Sequence, residues 1–241
     1  MSIHNISFLK INDNLYNQLV DLFNYWFLQF DFPDSNGKPY KTSSGNMLYN
    51  KTLDKNIPVG WSSVTIGEIT NCLDSKRIPL SSKEREEIQG EYPYYGATEI
   101  MDYLNNYIFD GDYILLAEDG SIMDDYGHPI LQRVSGKCWI NNHAHVLQPK
   151  NGYSCAMLYM LLKDIPVVMV KTGSVQYKVN QANLNNYSVI NIPTDIRQKF
   201  IRIANPIDMK ILKLQEENSQ LIKLRDWLLP MLMNGQATIV D

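Results

Sequence analysis

In NDNLYNQLVDLFNYWFLQF, apolar residues recur at Leu15, Leu19, Leu22 and Trp26, spaced four, three and four, which is one face of a helix. Asn12 or Asp13 stands where an N-cap belongs. Pro33, Gly37 and Pro39 then break the helical pattern, and the polar run DSNGKPYKTSSGN reads as an ordered loop. From about Ile57 to Pro193 the pattern changes to short runs rich in tyrosine and β-branched residues, separated by turn signals. Ser63–Ile66, Tyr113–Leu116, Cys138–Ile140, His143–Leu147 and Ser188–Ile192 read as strands, and Cys155–Leu162 as a helix. This is an α+β, loop-rich mixed domain.

After Pro193 the helical period returns. Thr194 is placed to cap DIRQKFIRIANPI, and Pro206 should interrupt that helix or start a second one. From Asp208 to Met233, Ile211, Leu214, Asn218, Leu221, Arg225, Leu228 and Leu232 fall on alternating a and d positions of a heptad. Asn218 at such a position costs stability and fixes register. Thirty residues of helix would run ~45 Å, too long a stripe to bury on itself, so this coiled-coil-like helix calls for a partner. The chain thus divides into residues 1–50 (a short helix and connecting loop), 51–193 (the mixed domain) and 194–241 (the helical region). A weak internal repeat links the two helical parts: Leu19-Val20-Asp21-Leu22-Phe23-Asn24-Tyr25 aligns with Leu221-Ile222-Lys223-Leu224-Arg225-Asp226-Trp227.

Composition narrows the class. Hydrophobic content of 44% and charged content of 20% are ordinary for a globular protein. No apolar run reaches the ~20 residues of a membrane-spanning helix, and MSIHNISFLK lacks the order of a signal peptide. Three widely spaced cysteines with no CxxC suit a reducing cytoplasm, the expected location. The net charge of −4 hides a split. Glu84–Asp125 holds twelve acids and one base, whereas Val134–Thr194 holds five lysines and one acid. The second stretch can supply a local anion-facing surface despite the total.

Catalytic signatures are sparse. Gly67 and Gly173 stand alone rather than in a phosphate loop, and neither Asn205-Pro206-Ile207 nor Asn191-Ile192-Pro193 is the Asn-Pro-Pro-aromatic tetrad of an amino methyltransferase. Glu118, Asp119, Asp124 and Asp125 in EDGSIMDD are candidates for metal-assisted hydrolysis on composition, and turn-forming loop acids on the plainer reading. In WINNHAHVL, period-two spacing puts His143 and His145 on one strand face, as a metal site or proton relay would need. Cys138 and His128 are the other ligand types nearby, at spacings that fit no zinc pattern, so no metal is assigned.

Several blocks in order resemble one family, the specificity subunits of type I restriction–modification systems, across Asn12 to Val240. NYWFLQFDFPDSNGKPYKTSSGNMLYN resembles the segment after the family's central conserved helix, which leads into its second recognition domain. IPVGW followed by VTIGEI resembles the start of a target-recognition domain. RIPLSSKERE, YPYYGATEIMDY, LLAEDGS, WINNHAHVL and KTGSVQYKVNQANLNNYSV resemble successive blocks inside one, and LRDWLLPMLMNGQATI resembles the C-terminal end.

The resemblance implies a non-catalytic subunit that reads double-stranded DNA. Such subunits hold two target-recognition domains, one per half of a bipartite target, separated by long helices. Methylation subunits bind those helices and methylate an adenine in each half-site with S-adenosylmethionine. Restriction subunits join to translocate and cleave. No cofactor is expected in this chain; S-adenosylmethionine, ATP and magnesium would sit on partner subunits. This chain departs from the pattern in carrying one recognition domain, which implies a half-subunit that pairs as a two-fold homodimer and reads two inverted half-sites. Leu15, Leu19, Leu22, Trp26, Ile211, Leu214, Asn218, Leu221, Leu228 and Leu232 would form the dimer or partner surface. A ~45 Å helix corresponds to roughly thirteen base pairs.

Within that reading, KTGSVQYKVN is the densest source of DNA contacts: Lys171, Thr172, Ser174, Gln176, Lys178 and Asn180 around Gly173. Lys76, Arg77 and Tyr95 come second, and Asn141, Asn142 and His143 third. The rival reading is a stand-alone nuclease or methyltransferase using the EDGSIMDD acids or the His143/His145 pair.

Overall fold

The computed structural model describes residues 3–173 and 177–236. Helix α1 (Ile3–Phe23) runs through Asn12 and Asp13, so neither is a cap. It packs against the C-terminal helix. A π-helical turn at Asn24–Leu28 follows and drives Trp26 and Phe27 inward. Of the expected face, Leu19 and Trp26 are buried and Leu15 and Leu22 half-buried, while Phe23 and Phe27 complete it. The loop after the turn is ordered as expected. Phe32 stacks on both Tyr40 and Trp61 at 4.8 Å, and the Asp31 carboxylate accepts from the Thr42 amide at 2.7 Å and hydroxyl at 2.6 Å.

The mixed domain opens with a hairpin of β1 (Met47–Asn50) and β2 (Lys55–Pro58). Strand β3 (Ser62–Thr65) enters a one-turn helix, α2 (Ile66–Ile69), closed by a capping box between Thr65 and Glu68. Then come β4 (Thr70–Cys72), α3 (Ser82–Glu87), β5 (Gln89–Tyr95), β6 (Ile100–Leu104), β7 (Phe109–Ala117), β8 (Leu131–Ile140) and β9 (Ala144–Pro149). Six of these strands form one sheet in the order β4-β9-β7-β8-β5-β6, antiparallel except for β5 beside β8. Helix α4 (Cys155–Leu162) is apolar almost all round because the sheet covers one side and the C-terminal helix another. A small hairpin of β10 (Lys171–Thr172) and β11 (Lys178–Val179) leads to α5 (Gln181–Asn186), and β12 (Ser188–Asn191) returns to pair with β3.

Helix α6 (Thr194–Met233) is one continuous element of 40 residues, ~60 Å long. The break expected at Pro206 does not occur. Pro206 faces solvent, where its missing N–H leaves only a carbonyl to be hydrated, while buried Ala204 and Asp208 hold the helix on both sides of it. Thr194 is the first helical residue and not its cap; that position belongs to Pro193, and the Thr194 hydroxyl accepts from Arg197 at 3.2 Å. Phe200 of α6 meets Phe27 at 5.0 Å and Phe23 at 5.9 Å, so the two helices share the domain's main core with Ile114 and Leu147. Of the heptad positions, Leu214 is buried, Ile211, Asn218 and Leu228 are half-buried, and Leu221, Arg225 and Leu232 are exposed. No helix among the described residues is long and apolar enough to cross a membrane.

Candidate nucleic-acid interface

Two residues per strand is too short for β10 and β11 to hold a hairpin by their own ladder. The hairpin is held from beneath instead. The Val179 amide donates to the Glu118 carbonyl at 2.8 Å, and the Val179 carbonyl accepts from His145 Nε2 at 3.1 Å. The Asn180 amide donates to the Val170 carbonyl at 2.9 Å, and the Val179 side chain is fully enclosed.

His145 is the centre of this support. Its Nδ1 lies 2.5 Å from Asp74 Oδ2, so both ring nitrogens face acceptors and both must carry protons. Burial opposes that charge, but hydrogen bonding to Asp74 and Cys72 and the Asp74 charge outweigh it and raise the pKa to about 9. Asp74 also accepts from the Val146 amide at 2.9 Å and pairs with Arg77 at 3.5 Å. Beside it, Glu118 receives Arg77 at 2.6 Å and Lys178 at 2.8 Å. Burial would raise the Glu118 carboxyl, yet bonds from Lys178 and Arg77 bring it below its usual range. Arg77 further donates to the Ala144 carbonyl at 2.6 Å. Three cations and two carboxylates therefore knit β9, the end of β7, the turn after β4 and the hairpin into one platform.

The sequence candidates sort into two layers on this platform. Lys171, Thr172, Gly173 and Lys178 are at least partly exposed on the hairpin, with the Lys171 ammonium 3.2 Å from the centre of the Tyr177 ring. Gly173 has a φ of 88°, a left-handed conformation that favours glycine where the chain leaves β10. Ser174 and Gln176 lie outside the described residues. Lys76, Asn142 and His143 are also exposed. Arg77, Asn141 and Asn180 instead build the support. The Asn141 side chain, buried, accepts from the His143 amide at 2.8 Å, and Asn180 caps α5 by accepting from the Asn183 amide at 3.0 Å. Tyr95 is half-buried, and burial pushes its hydroxyl up to about 12, which leaves it a neutral packing group.

His143 and His145 do not share a strand face. Strand β9 begins at Ala144, so His143 sits in the preceding turn, exposed, 2.7 Å from Asp119, while His145 points into the platform. Cys72, Asp74 and His145 offer ligand-type atoms within 4.8 Å of one another. The neighbouring Arg77 and the two bonds on the imidazole make that group a proton-holding ion network rather than a cation site. The EDGSIMDD acids also fail to converge: Glu118 is paired as above, Asp119 faces His143, and Asp124 accepts from the Tyr126 and His128 amides at 2.9 and 2.8 Å within a turn. Asp74 is not legible as a participant from the sequence, because His145 and Val146, which it joins to Arg77, lie more than seventy residues away. Tyr177 lies inside KTGSVQYKVN, and its contact with Lys171 is local to the hairpin.

Comparison with known proteins extends this picture. A Methanocaldococcus jannaschii protein, the type I restriction enzyme MjaIX specificity subunit, is 27% identical over 250 residues, covering 96% of this chain and 55% of its own length. A Haemophilus influenzae protein assigned as a type I restriction enzyme specificity subunit is 29% identical over 163 residues, covering 67% of this chain and 40% of its own. The crystal structure of a type I restriction-modification system S subunit from M. genitalium superposes with a TM-score of 0.59 at 21% identity, over 94% of this chain and 55% of that one, which establishes a shared fold. The chain thus spans about half the length of these relatives, or less. The model of the type I restriction modification DNA specificity domain matches residues 58–223, from the end of β2 through the mixed domain and into α6, and the chain belongs to that family.

Proposed function

We propose that this chain is a DNA-recognition component of a type I restriction–modification complex, reading one half of a bipartite target and leaving the chemistry to methylation and restriction subunits. The observation that carries the reading is the family match over residues 58–223, which takes in both the platform with its basic hairpin and most of α6. Lys171, Thr172, Lys178 and Lys76 then meet phosphates, and Asn142 approaches base edges. S-adenosylmethionine, ATP and magnesium belong to the partner subunits.

Pairing of two copies is part of the proposal. The segment Leu221–Trp227 leaves open what its sequence repeat in α1 encloses: Leu19 is 2% exposed and Leu221 41%. An apolar helix end of this kind calls for a second protein surface. Two copies related by a two-fold axis supply one, and they place two identical readers on inverted half-sites.

The test is reconstitution with methylation subunits followed by sequencing of methylated adenines in random duplex DNA. Two inverted half-sites at a fixed gap are expected. Methylation or cleavage by the chain alone, given S-adenosylmethionine or magnesium, would refute the reading in favour of a stand-alone enzyme.

A further inference from the structure

Away from the hairpin, a cleft of about 670 Å3 opens where α1 enters the mixed domain. Its walls include Phe27 and Leu28 of the π-helical turn, Leu53 and Lys55 of the β1–β2 hairpin, Asp164 beyond α4, and Met169. Leu28 and Met169 are 50% and 64% exposed at its edge, on a wall they share with Phe27, which is fully enclosed.

Lys55 is the only basic residue on that lining among the described residues. Its ammonium lies 6.0 Å from the centre of the Phe30 ring, and among the described residues it has no ion pair. Asp164, the acid on the same lining, is taken by Lys163 at 2.5 Å. Burial alone depresses the Lys55 pKa, with no carboxylate to restore it. A half-buried ammonium without a counter-ion is costly, and an arriving carboxylate recovers that cost.

The backbone beside the cleft is unusual in the same place. The π-helical turn is rare as a form, and Phe30, which follows it, adopts a φ of 63°, a left-handed conformation that bulky residues avoid. Such geometry persists where the surroundings enforce it, and it gathers at binding sites.

We propose that this cleft docks a segment of a partner polypeptide, an apolar side chain seating against Phe27, Leu28 and Met169 and an adjacent carboxylate pairing with Lys55. The open, apolar-edged shape and the uncompensated cation set that chemistry. The partner's identity as a methylation subunit rests on the function proposed above.

Lysine footprinting on the unmodified chain tests the inference without risk to folding. An acetylating reagent is applied to the chain alone and to its complex with methylation subunits, and modification is read at Lys55 and at exposed Lys83. Lys55 labelling should slow about tenfold or more in the complex while Lys83 labelling is unchanged. Lys55→Glu should weaken assembly about tenfold or more, and Lys55→Met, which keeps the apolar stem, by less. A complex in which Lys55 reacts as fast as in the free chain overturns the inference and leaves the DNA-recognition reading intact. Failure of the unmodified chain to form any complex overturns both.

Discussion

Nδ1 of His145 stands 2.5 Å from Oδ2 of Asp74, and the opposite ring nitrogen stands 3.1 Å from the Val179 carbonyl oxygen. An imidazole held between two acceptors has no neutral tautomer that satisfies both. The platform beneath the hairpin is therefore built on a buried positive charge.

That charge gives stability a pH dependence with a definite sign. The pKa of His145 is raised from 6.5 to about 9, so the folded state holds the proton more tightly than the unfolded chain. Its stabilisation is complete below about 6.5 and is lost as pH rises through about 9. Asp74 and Glu118 are held below their usual range, so their contributions are present at neutral pH and fade only in acid. The His145 contribution is on the order of 3 kcal/mol at most. Urea unfolding between pH 6 and 10 should show the gap between the unmodified chain and His145→Gln shrinking as pH rises. A gap that stays constant across that range would show that His145 is neutral in the fold.

A second buried ion pair ties α6 to the sheet. Arg133 of β8 reaches Asp208 of α6 and Asp112 of β7, at 3.1 and 2.9 Å. Burial pushes the Asp208 carboxyl up in spite of Arg133, so the pair is bound at a desolvation cost. Arg133→Met strands Asp208 and should destabilise by about 3–5 kcal/mol. Replacing both residues with apolar ones should recover much of that loss. Denaturant midpoints of the single and double variants decide the point; a double variant no better than the single would mean that Arg133 acts through packing alone.

How much of the fold and the site is legible in the sequence depends on the range of the interaction. Cys155–Leu162 appears with its expected bounds, since its apolar run has no competing signal. Strands β5 and β6 escape the pattern because Pro93 and two register shifts, at Gln89/Tyr92 and Tyr94/Tyr95, destroy the period of two. The Pro206 expectation fails because a local rule meets a helix held by long-range packing. KTGSVQYKVN is legible as a basic loop, but its anchors, Glu118 and His145, lie 60 and 34 residues from Lys178 and Val179, and no local pattern links them. His-x-His suggests one face; the strand start at Ala144 decides otherwise.

The hairpin lysines should differ in effect. Removing one phosphate-binding cation lowers the salt dependence of DNA binding by about 0.9 in log–log slope. Lys171→Ala removes a charge that rests on Tyr177, whereas Lys178→Ala also leaves Glu118 less compensated beside the DNA. Lys178→Ala should therefore cost more affinity than Lys171→Ala, at an equal fall in slope, in filter-binding titrations of the reconstituted complex across a salt series. Equal affinity losses would place Glu118 outside the field felt by DNA.

The end of α6 separates self-association from folding. Leu224 and Trp227 are 50% and 59% exposed, so a charge there meets solvent in the isolated chain. Leu224→Asp and Trp227→Asp should each shift unfolding by no more than ~0.5 kcal/mol. In a dimer built on this surface, the same charge is buried without a partner, and a penalty of several kcal/mol pushes dissociation into the micromolar range or beyond. Leu214, 3% exposed on the same helix, is the contrast: Leu214→Asp should damage the fold itself. Sedimentation velocity over a concentration series, with circular dichroism in parallel, distinguishes these outcomes. A chain that sediments as a monomer before any substitution rules out pairing through this surface in the absence of partner subunits. The readout of a symmetric target would then require the methylation subunits to bring two copies together.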